Sequence, residues 1–94
     1  MTLGERLKKL RESNSLAQRQ VGSLIDVDGA FISKVEHNEK RISRDHLNTL
    51  AKHFNIDPKE LHVLWLVDKI SMILQNENEN VTSRTIDSLK NRYL

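Results

Sequence analysis

The chain contains few residues that would interrupt an α-helix. It has one proline and three glycines among 94 residues, and its β-branched residues do not form the clustered runs that are typical of strands. Helix interiors tolerate proline and glycine least, so their scarcity favours helices along most of the chain. Apolar residues recur at helical spacing in successive segments, and no segment has a competing strand pattern. The sequence therefore predicts an all-α protein.

Capping residues and apolar stripes together give the bounds of six predicted helices. Thr2, Asp28 and Ser43 are suitable N-caps for the first, third and fourth helices, and Asn38 can adopt the left-handed conformation that ends the third. The predicted helices cover residues 3–13, 18–25, 29–37, 44–54, 58–75 and a last segment that begins at Thr82 or Ser83. Residues 76–80, which read NENEN, are expected to form a polar loop.

The fifth predicted helix has the clearest start signal and an unusual apolar pattern. Asp57 as N-cap, Pro58 in the first turn and Glu60 reaching back to the N-cap form a variant of the capping box. On a helical projection the apolar residues of this helix form two opposite faces. Leu61, Leu64, Trp65 and Met72 lie on one face, and Val63, Leu66, Val67, Ile70, Ile73 and Leu74 lie on the other. A chain of this size has one core to offer, so we expect the second face to be buried against another subunit or under the last helix.

The composition and motifs argue against several function classes. The absence of cysteine rules out disulfides, thiolate zinc sites and a cysteine nucleophile. His46 and His53 would lie about 10 Å apart along a helix, too far to share a metal without other ligands. No phosphate-binding glycine loop, nucleophile elbow or closely spaced carboxylate pair is present. We therefore expect no enzyme, no cofactor and no metal site.

The expected location of the protein is the cytoplasm. The first ten residues are charged and amphipathic, and they lack the apolar stretch and cleavage site of a secretion signal. The apolar run of the fifth helix is interrupted by charges and is shorter than the roughly 20 residues that cross a bilayer. The sequence thus predicts neither export nor a membrane partner.

The segment LAQRQVGSLIDVDGAFISKVEHN, at residues 16–38, carries a specific pattern. Its features are Gln18 opening the second helix, apolar Val21, a break at Asp26 followed by apolar Val27, and the run ISKVE at 32–36. This pattern resembles the helix-turn-helix of the phage repressor and Cro type family, also called the xenobiotic response element family. The resemblance implies a compact, lambda-repressor-like domain of helices in residues 1–66. Residues 67–94 would then extend the fifth helix and add a C-terminal helix, which we expect to mediate dimerisation.

The resemblance also implies which residues contact double-stranded DNA. The third helix would lie in the major groove, and the second would brace against the backbone. The implied base contacts are Gly29, Ala30, Ser33 and Lys34, and the implied backbone contacts are Gln18, Arg19, Lys40, Arg41 and Arg44. Arg11 and Glu36 match a family ion pair between the first helix and the end of the recognition helix, and the pair is expected to be structural. The basic surplus agrees, because residues 1–56 carry 10 Lys and Arg against 7 Asp and Glu.

Four positions depart from the family pattern. Ala17 replaces the usual hydroxyl cap, Gly22 replaces a usual alanine, and Asp26 and Asn38 replace glycines. Asp and Asn tolerate the left-handed conformation that those glycines adopt, so the fold is expected to survive. Gly22 is expected to destabilise the second helix by up to about 1 kcal/mol relative to alanine.

Two functions are compatible with these features. The first is a sequence-specific transcription regulator that binds a palindromic or pseudopalindromic operator as a homodimer, similar to the controllers found beside restriction-modification genes. The alternative is an antitoxin whose C-terminal region neutralises a toxin protein and which autoregulates its operon. The second apolar face of the fifth helix suits a twin or a foreign partner, so the sequence leaves both open.

Overall fold

The computed structural model describes all residues from Met1 to Leu94 and contains six α-helices and no strands. The helices are α1 (Leu3–Ser13), α2 (Gln18–Leu24), α3 (Gly29–Glu36), α4 (Arg44–His53), α5 (Pro58–Leu74) and α6 (Glu79–Tyr93). The predicted all-α class is confirmed, and α1 to α5 begin where the sequence predicted. None of the helices combines the length and the apolarity needed to cross a membrane.

The N-caps explain why the helices begin where they do. Thr2 forms a complete capping box with Glu5, and hydrogen bonding by Thr2 holds the pKa of the Glu5 carboxyl below its ordinary value. The side chains of Asp28 and Ser43 accept backbone N–H bonds at the starts of α3 and α4, as predicted. Each cap satisfies a donor that the first turn of a helix would otherwise leave without a partner.

Two predictions about the helix starts were wrong. Asp57 caps α5 by accepting from the Lys59 N–H, but Glu60 pairs with Arg6 of α1 and does not reach back to the cap. The last helix begins at Glu79 because Asn78 accepts from the Val81 N–H, whereas the prediction placed the start at Thr82 or Ser83. Asparagine is as good an N-cap as serine, but Asn78 lies within the polar tract NENEN, which was predicted to be a loop.

The hydrophobic core lies entirely within residues 3–61. It consists of Leu3, Leu7, Leu10, Val21, Ile25, Ile32, Val35, Ile42, Leu47, Leu50, Ala51, Phe54 and Leu61. α2 packs on α3, α4 packs on α5, and α1 contacts both α3 and α5. The start of α1 is also tied to α5, because the Leu3 N–H donates to the Asp68 carboxylate at 3.0 Å. α3 is therefore held directly by α1 and α2, and α1 in turn contacts α5, which packs on α4.

Non-glycine residues in the left-handed conformation reverse the chain between helices. Asp26 and Asn38, which stand in place of family glycines, have φ values of 57° and 62°, and Ser15 and Asn55 have 55° each. The expectation that the fold survives these replacements agrees with the structure. Short polar side chains can bond locally, which lowers the penalty of this conformation.

Gly22 corrects the expectation that alanine would be better at its position. A Cβ built there would lie 2.4 Å from the Val27 carbonyl oxygen and 3.0 Å from that of Asp28. The turn between α2 and α3 folds directly over Gly22, and the Val27 N–H donates to the Gly22 carbonyl at 3.0 Å. Glycine therefore permits this close turn, which helix propensity alone does not take into account.

Candidate nucleic-acid interface

α2, the turn at Asp26 and α3 form a helix-turn-helix in which α3 has one buried and one exposed side. Ile32 and Val35 of α3 are buried in the core. Ala30 and Lys34 lie on the exposed side, and Ser33 is half-buried between the two. The buried apolar side of α3 holds the helix on the protein, and the exposed side is free to enter a major groove, which is wide enough for an α-helix. Three of the four implied base contacts therefore lie at or near one surface.

Gly29, the fourth implied base contact, lies against α2. A Cβ built on Gly29 would lie 3.1 Å from the backbone nitrogen of Arg19 and 3.3 Å from its Cα. The side of Gly29 that would carry a side chain thus faces the start of α2. Its evident role in the fold is to let the two helices approach closely at their N-termini.

A buried ion pair locks α3 to α1. The Arg11 guanidinium donates from Nε to Glu36 Oε2 at 2.7 Å and from Nη2 to Oε1 at 3.1 Å, and Nη1 donates to the Leu16 carbonyl at 3.0 Å. The Glu36 side chain is only 2% exposed. Hydrogen bonding to Glu36 is the main reason that the pKa of Arg11 is raised. A bidentate pair of this kind fixes both the distance and the orientation of the two helices.

Gln18 joins this network. Its Nε2 donates to Glu36 Oε1 at 3.0 Å, so the start of α2 is tied to the end of α3. The resemblance assigned Gln18 to the DNA backbone, and the structure places its amide nitrogen on Glu36. The carboxylate of Glu36 thus receives donors from both α1 and α2, and all three helices of this region meet at one buried group.

The loop between α3 and α4 is bonded to the recognition helix. The backbone N–H groups of Glu39 and Lys40 donate to the Lys34 carbonyl at 2.8 and 3.3 Å. The side chains of Lys40, Arg41 and Arg44 are exposed, as is that of Arg19 on α2. Four of the five implied backbone contacts therefore expose a cation beside the recognition helix. A cation so placed can bond phosphate and position the protein without reading sequence.

Comparison with known proteins places this geometry in a family. A family model described as a helix-turn-helix domain matches residues 4–79, which is most of the chain. The chain belongs to this helix-turn-helix family. The match ends at the start of α6, so the last helix lies outside it. A comparison with curated protein sequences gave no significant match.

Two solved structures are similar to this helix-turn-helix protein. One is the P22 c2 repressor in complex with a synthetic operator, which is 26% identical with a TM-score of 0.59 over 65% of this chain and 92% of the repressor chain. The other is the restriction-modification controller protein C.AhdI from Aeromonas hydrophila, 30% identical with a TM-score of 0.56 over 63% of this chain and 86% of the controller chain. The lambda-repressor-like fold that the sequence predicted is confirmed.

Trp65 lies near this surface, although the sequence did not predict it as a residue of the DNA interface. Arg41 Cζ lies 4.3 Å from the centroid of the Trp65 ring, Arg44 Cζ lies 5.3 Å from it and Lys69 Nζ lies 5.2 Å from it. We call Trp65 and these three cations the Trp65 cluster. The sequence placed Trp65 on the inward face of α5, and it is indeed half-buried against the core. Its contact with the arginines has no signal in helical periodicity, because they come from a distant loop and from α4.

The outer face of α5 is exposed. Five of the six residues predicted to need a partner, namely Val63, Leu66, Val67, Ile70 and Ile73, are between 41% and 70% exposed, and Leu74 is half-buried. α6 contributes no buried residue and leaves Val81 and Ile86 exposed as well. The alternative in which the last helix buries this face within one chain is therefore not what the structure has.

Proposed function

We propose that this helix-turn-helix protein is a transcription regulator that binds double-stranded DNA in a sequence-specific manner, as a homodimer on a palindromic or pseudopalindromic operator. The observation that carries the proposal is the exposed side of α3, held rigid by its buried side and by the pair of Arg11 with Glu36. A recognition helix must be positioned within a fraction of an ångström to read base edges, and this network supplies that rigidity.

The similar structures support a regulator of this kind. One was solved bound to a synthetic operator, and the other is a controller protein of a restriction-modification system. Nothing in the fold or in these two structures favours the antitoxin alternative. We extend to this chain the role of a repressor or controller, which acts by occupying an operator.

In the proposed complex Lys34 reads a base edge and Arg41 contacts phosphate. Lysine can donate to the O6 and N7 acceptors of guanine in the major groove. Ala30 can contact a thymine methyl group, and Ser33 can bond more than one base. These short side chains allow α3 to approach closely, but they make few direct bonds. Part of the specificity is therefore expected to come from DNA shape and bridging water.

The exposed face of α5 is proposed to form the homodimer. A soluble protein rarely leaves this many adjacent apolar side chains in water without a partner. Symmetric dimers are the commonest soluble oligomers, and a two-fold axis would bring the same face of α5 from two copies together. Two recognition helices about 34 Å apart would then read two half-sites one helical turn apart.

The test of this proposal compares Lys34→Ala with Arg41→Ala in a selection of bound duplexes from random DNA. Lys34→Ala should relax the preference at one position in each half-site, with a loss of about 1–3 kcal/mol of discrimination. Arg41→Ala should weaken binding to all sequences alike and should lower the slope of log affinity against log salt by about 1 per half-site. Base contacts distinguish sequences and phosphate contacts do not, so the two variants should separate cleanly.

Glu12→Ala is the matched control, because Glu12 is exposed on α1 and belongs to none of these contacts. If the wild-type protein enriched no particular sequence from the random DNA, sequence-specific binding would be contradicted. Unchanged preferences in Lys34→Ala would instead reduce Lys34 to a positioning role and leave readout to Ser33, Ala30 and DNA shape.

A further inference from the structure

The Trp65 cluster gathers three cations, none of which forms a salt bridge within the chain. The salt bridges of this protein are those of Arg6 with Glu60 and of Arg11 with Glu36. Arg41, Arg44 and Lys69 are exposed and approach the same aromatic ring without a carboxylate. Bringing like charges together is unfavourable, and the attraction of each cation to the ring offsets only part of that repulsion. Such an arrangement attracts an anion.

Hydrogen bonds fix the ring and orient the two guanidinium groups. Trp65 Nε1 donates to the Ile42 carbonyl at 2.8 Å, which ties α5 to the loop between α3 and α4. Arg41 Nη2 donates to the Trp65 carbonyl at 3.1 Å, and Nη1 lies 3.8 Å from the Met72 sulfur. A guanidinium has more donors than these two contacts use, so Arg41 keeps N–H groups free for a ligand.

Arg44 is oriented by a hydrogen bond to His62 of α5. Its Nε donates to His62 Nδ1 at 3.0 Å, and His62 Nε2 lies 2.7 Å from the Asn48 amide oxygen. Because an arginine Nε can only donate, His62 Nδ1 is the acceptor and Nε2 carries the ring proton. This contact uses only Nε of Arg44, so both of its amino groups remain available.

We infer that the Trp65 cluster is a phosphate-binding site for the DNA backbone, in which Trp65 positions Arg41 and Arg44 and Lys69 supplies a third contact from α5. The inference rests on the proposed function. It adds α5, which is not part of the helix-turn-helix, to the surface that contacts DNA. Trp65 is a positioning residue here, and Lys69 is a phosphate contact that neither periodicity nor resemblance indicated.

The position of the cluster favours a phosphate of the same duplex that α3 reads. Arg41 lines a surface cleft of about 370 Å³ together with Lys40, Trp65 and Asp68, whose carboxylate accepts from the Leu3 N–H, and Arg44 and Lys69 lie outside this lining. Val35 of α3 also lines the cleft, and the backbone N–H of Lys40 bonds the Lys34 carbonyl, so the cleft adjoins the last turn of the recognition helix. The exposed cations of the loop, Lys40 and Arg41, therefore stand next to the helix along which the proposed duplex would lie. Positioning contacts of this kind commonly flank a recognition helix.

The contribution of Lys69 is tested by measuring operator affinity as a function of salt. Lys69→Ala should lower the slope of log affinity against log salt by about 1 per half-site, and so by about 2 for a dimer. Lys59→Ala is the matched control, because Lys59 is an exposed lysine of the same helix outside the cluster. It should leave the slope unchanged. Equal slopes for Lys69→Ala and the wild-type protein would overturn the assignment of Lys69.

The positioning role of Trp65 is tested with Trp65→Leu, which removes the aromatic face, and Trp65→Phe, which keeps it. Trp65→Leu should lower the affinity for every duplex by about tenfold per half-site, since removing the attraction of two arginines to the ring has an effect of that order. Trp65→Phe should retain most of the affinity. The decisive comparison repeats Trp65→Leu in a protein that already carries Arg41→Ala and Arg44→Ala, where its effect should largely vanish. Additive effects would show that Trp65 acts only through the stability of the fold.

Trp65 is the only tryptophan of the chain, so its fluorescence reports on the cluster directly. Adding the selected duplex to the wild-type protein should change the emission, because phosphate alters the charge around the ring. Inorganic phosphate at the same ionic strength should not. An equal change with inorganic phosphate would assign the site to a free anion and overturn the inference. Failure of the wild-type protein to bind any duplex would be distinguishable, because it contradicts the proposed function itself.

Discussion

Residues 3–61 and residues 63–94 are both helical and both rich in apolar side chains, but they place those side chains in opposite environments. All thirteen buried apolar residues lie in the first region. Ten of the eleven large apolar residues that are exposed lie in the second, and Met1 is the other. The first region therefore holds a complete core, whereas the second presents apolar surface that nothing within the chain covers.

The difference indicates which region can be stable alone. Five helices share the core of the first region, and two ion pairs and four side-chain N-caps fix their ends. α6 has its own N-cap at Asn78 but buries no residue. An isolated helix of about 15 residues is marginal in water, so α6 requires packing that a single chain does not supply. We expect the order of the second region to depend on association.

The largest expected effect comes from breaking the pair of Arg11 with Glu36 in the first region. Glu36→Ala should lower the free energy of unfolding by about 3–5 kcal/mol, because it leaves the Arg11 charge without its partner in a largely buried position. Gln18 would lose its acceptor at the same time. Chemical denaturation monitored by circular dichroism measures the change.

Glu39→Ala is the matched control for this prediction. Glu39 is exposed and takes part in no salt bridge, so its removal should change the stability by less than about 0.5 kcal/mol. If Glu36→Ala were as stable as Glu39→Ala, the pair would contribute nothing to the first region. The rigidity that we ascribe to α3 would then need another origin.

An intermediate effect is expected from Gly22→Ala. Helix propensity favours alanine by about 1 kcal/mol, but its Cβ would lie 2.4 Å from the Val27 carbonyl oxygen. Relief requires a backbone shift in the turn, and overpacking of this kind typically costs about 1–3 kcal/mol. We therefore expect a net destabilisation, measured as a lower denaturation midpoint.

Ser23→Ala provides the comparison at the next position of α2. Ser23 is exposed, and its hydroxyl bonds only the Arg19 carbonyl four residues earlier. Alanine there gains helix propensity without meeting a neighbour, so it should be neutral or slightly stabilising. If the Gly22→Ala protein were more stable than the Ser23→Ala protein, the turn between α2 and α3 would be able to shift away from the added Cβ at little energetic cost.

Periodicity and capping predicted five of the six helix starts, because those signals are local to the chain. The start of α6 was missed because Asn78 stands in the polar tract NENEN, where a cap and a loop look alike. Gly22 was misjudged because the carbonyl it faces belongs to the following turn, which propensity does not include. The side chain of Glu60 was misassigned for the same kind of reason, since its partner Arg6 lies on another helix.

The candidate site likewise has features that the sequence predicted and features that it did not. The resemblance named residues by their place in the motif, and most of those expose their side chains beside α3. It could not indicate that Arg41 and Arg44 approach Trp65, because that contact depends on how α5 packs against the loop. Contacts between elements that are distant in sequence require the packed structure, whereas caps and stripes do not.

The smallest effect on the fold of the first region is expected from Ile70→Glu, which should nevertheless abolish the dimer. Ile70 is 44% exposed at the middle of the outer face of α5 and is not one of the buried residues that form the core. A carboxylate there would be buried without a partner if two copies paired, and desolvating that charge opposes association. Sedimentation should show a monomer, and circular dichroism should show that most of the helix content is retained.

The comparison with the wild-type protein must allow for mass action. A dimer is stabilised by association, so its denaturation midpoint should rise with protein concentration, whereas that of the Ile70→Glu monomer should not. Extrapolated to low concentration, the two proteins should differ by no more than about 0.5 kcal/mol, as expected for an exposed site. Thr49→Glu adds the same charge at an exposed position of α4 and should leave the dimer intact. If Ile70→Glu remained a dimer with a concentration-dependent midpoint, the outer face of α5 would not be the interface, and the two regions would differ in exposure without differing in function.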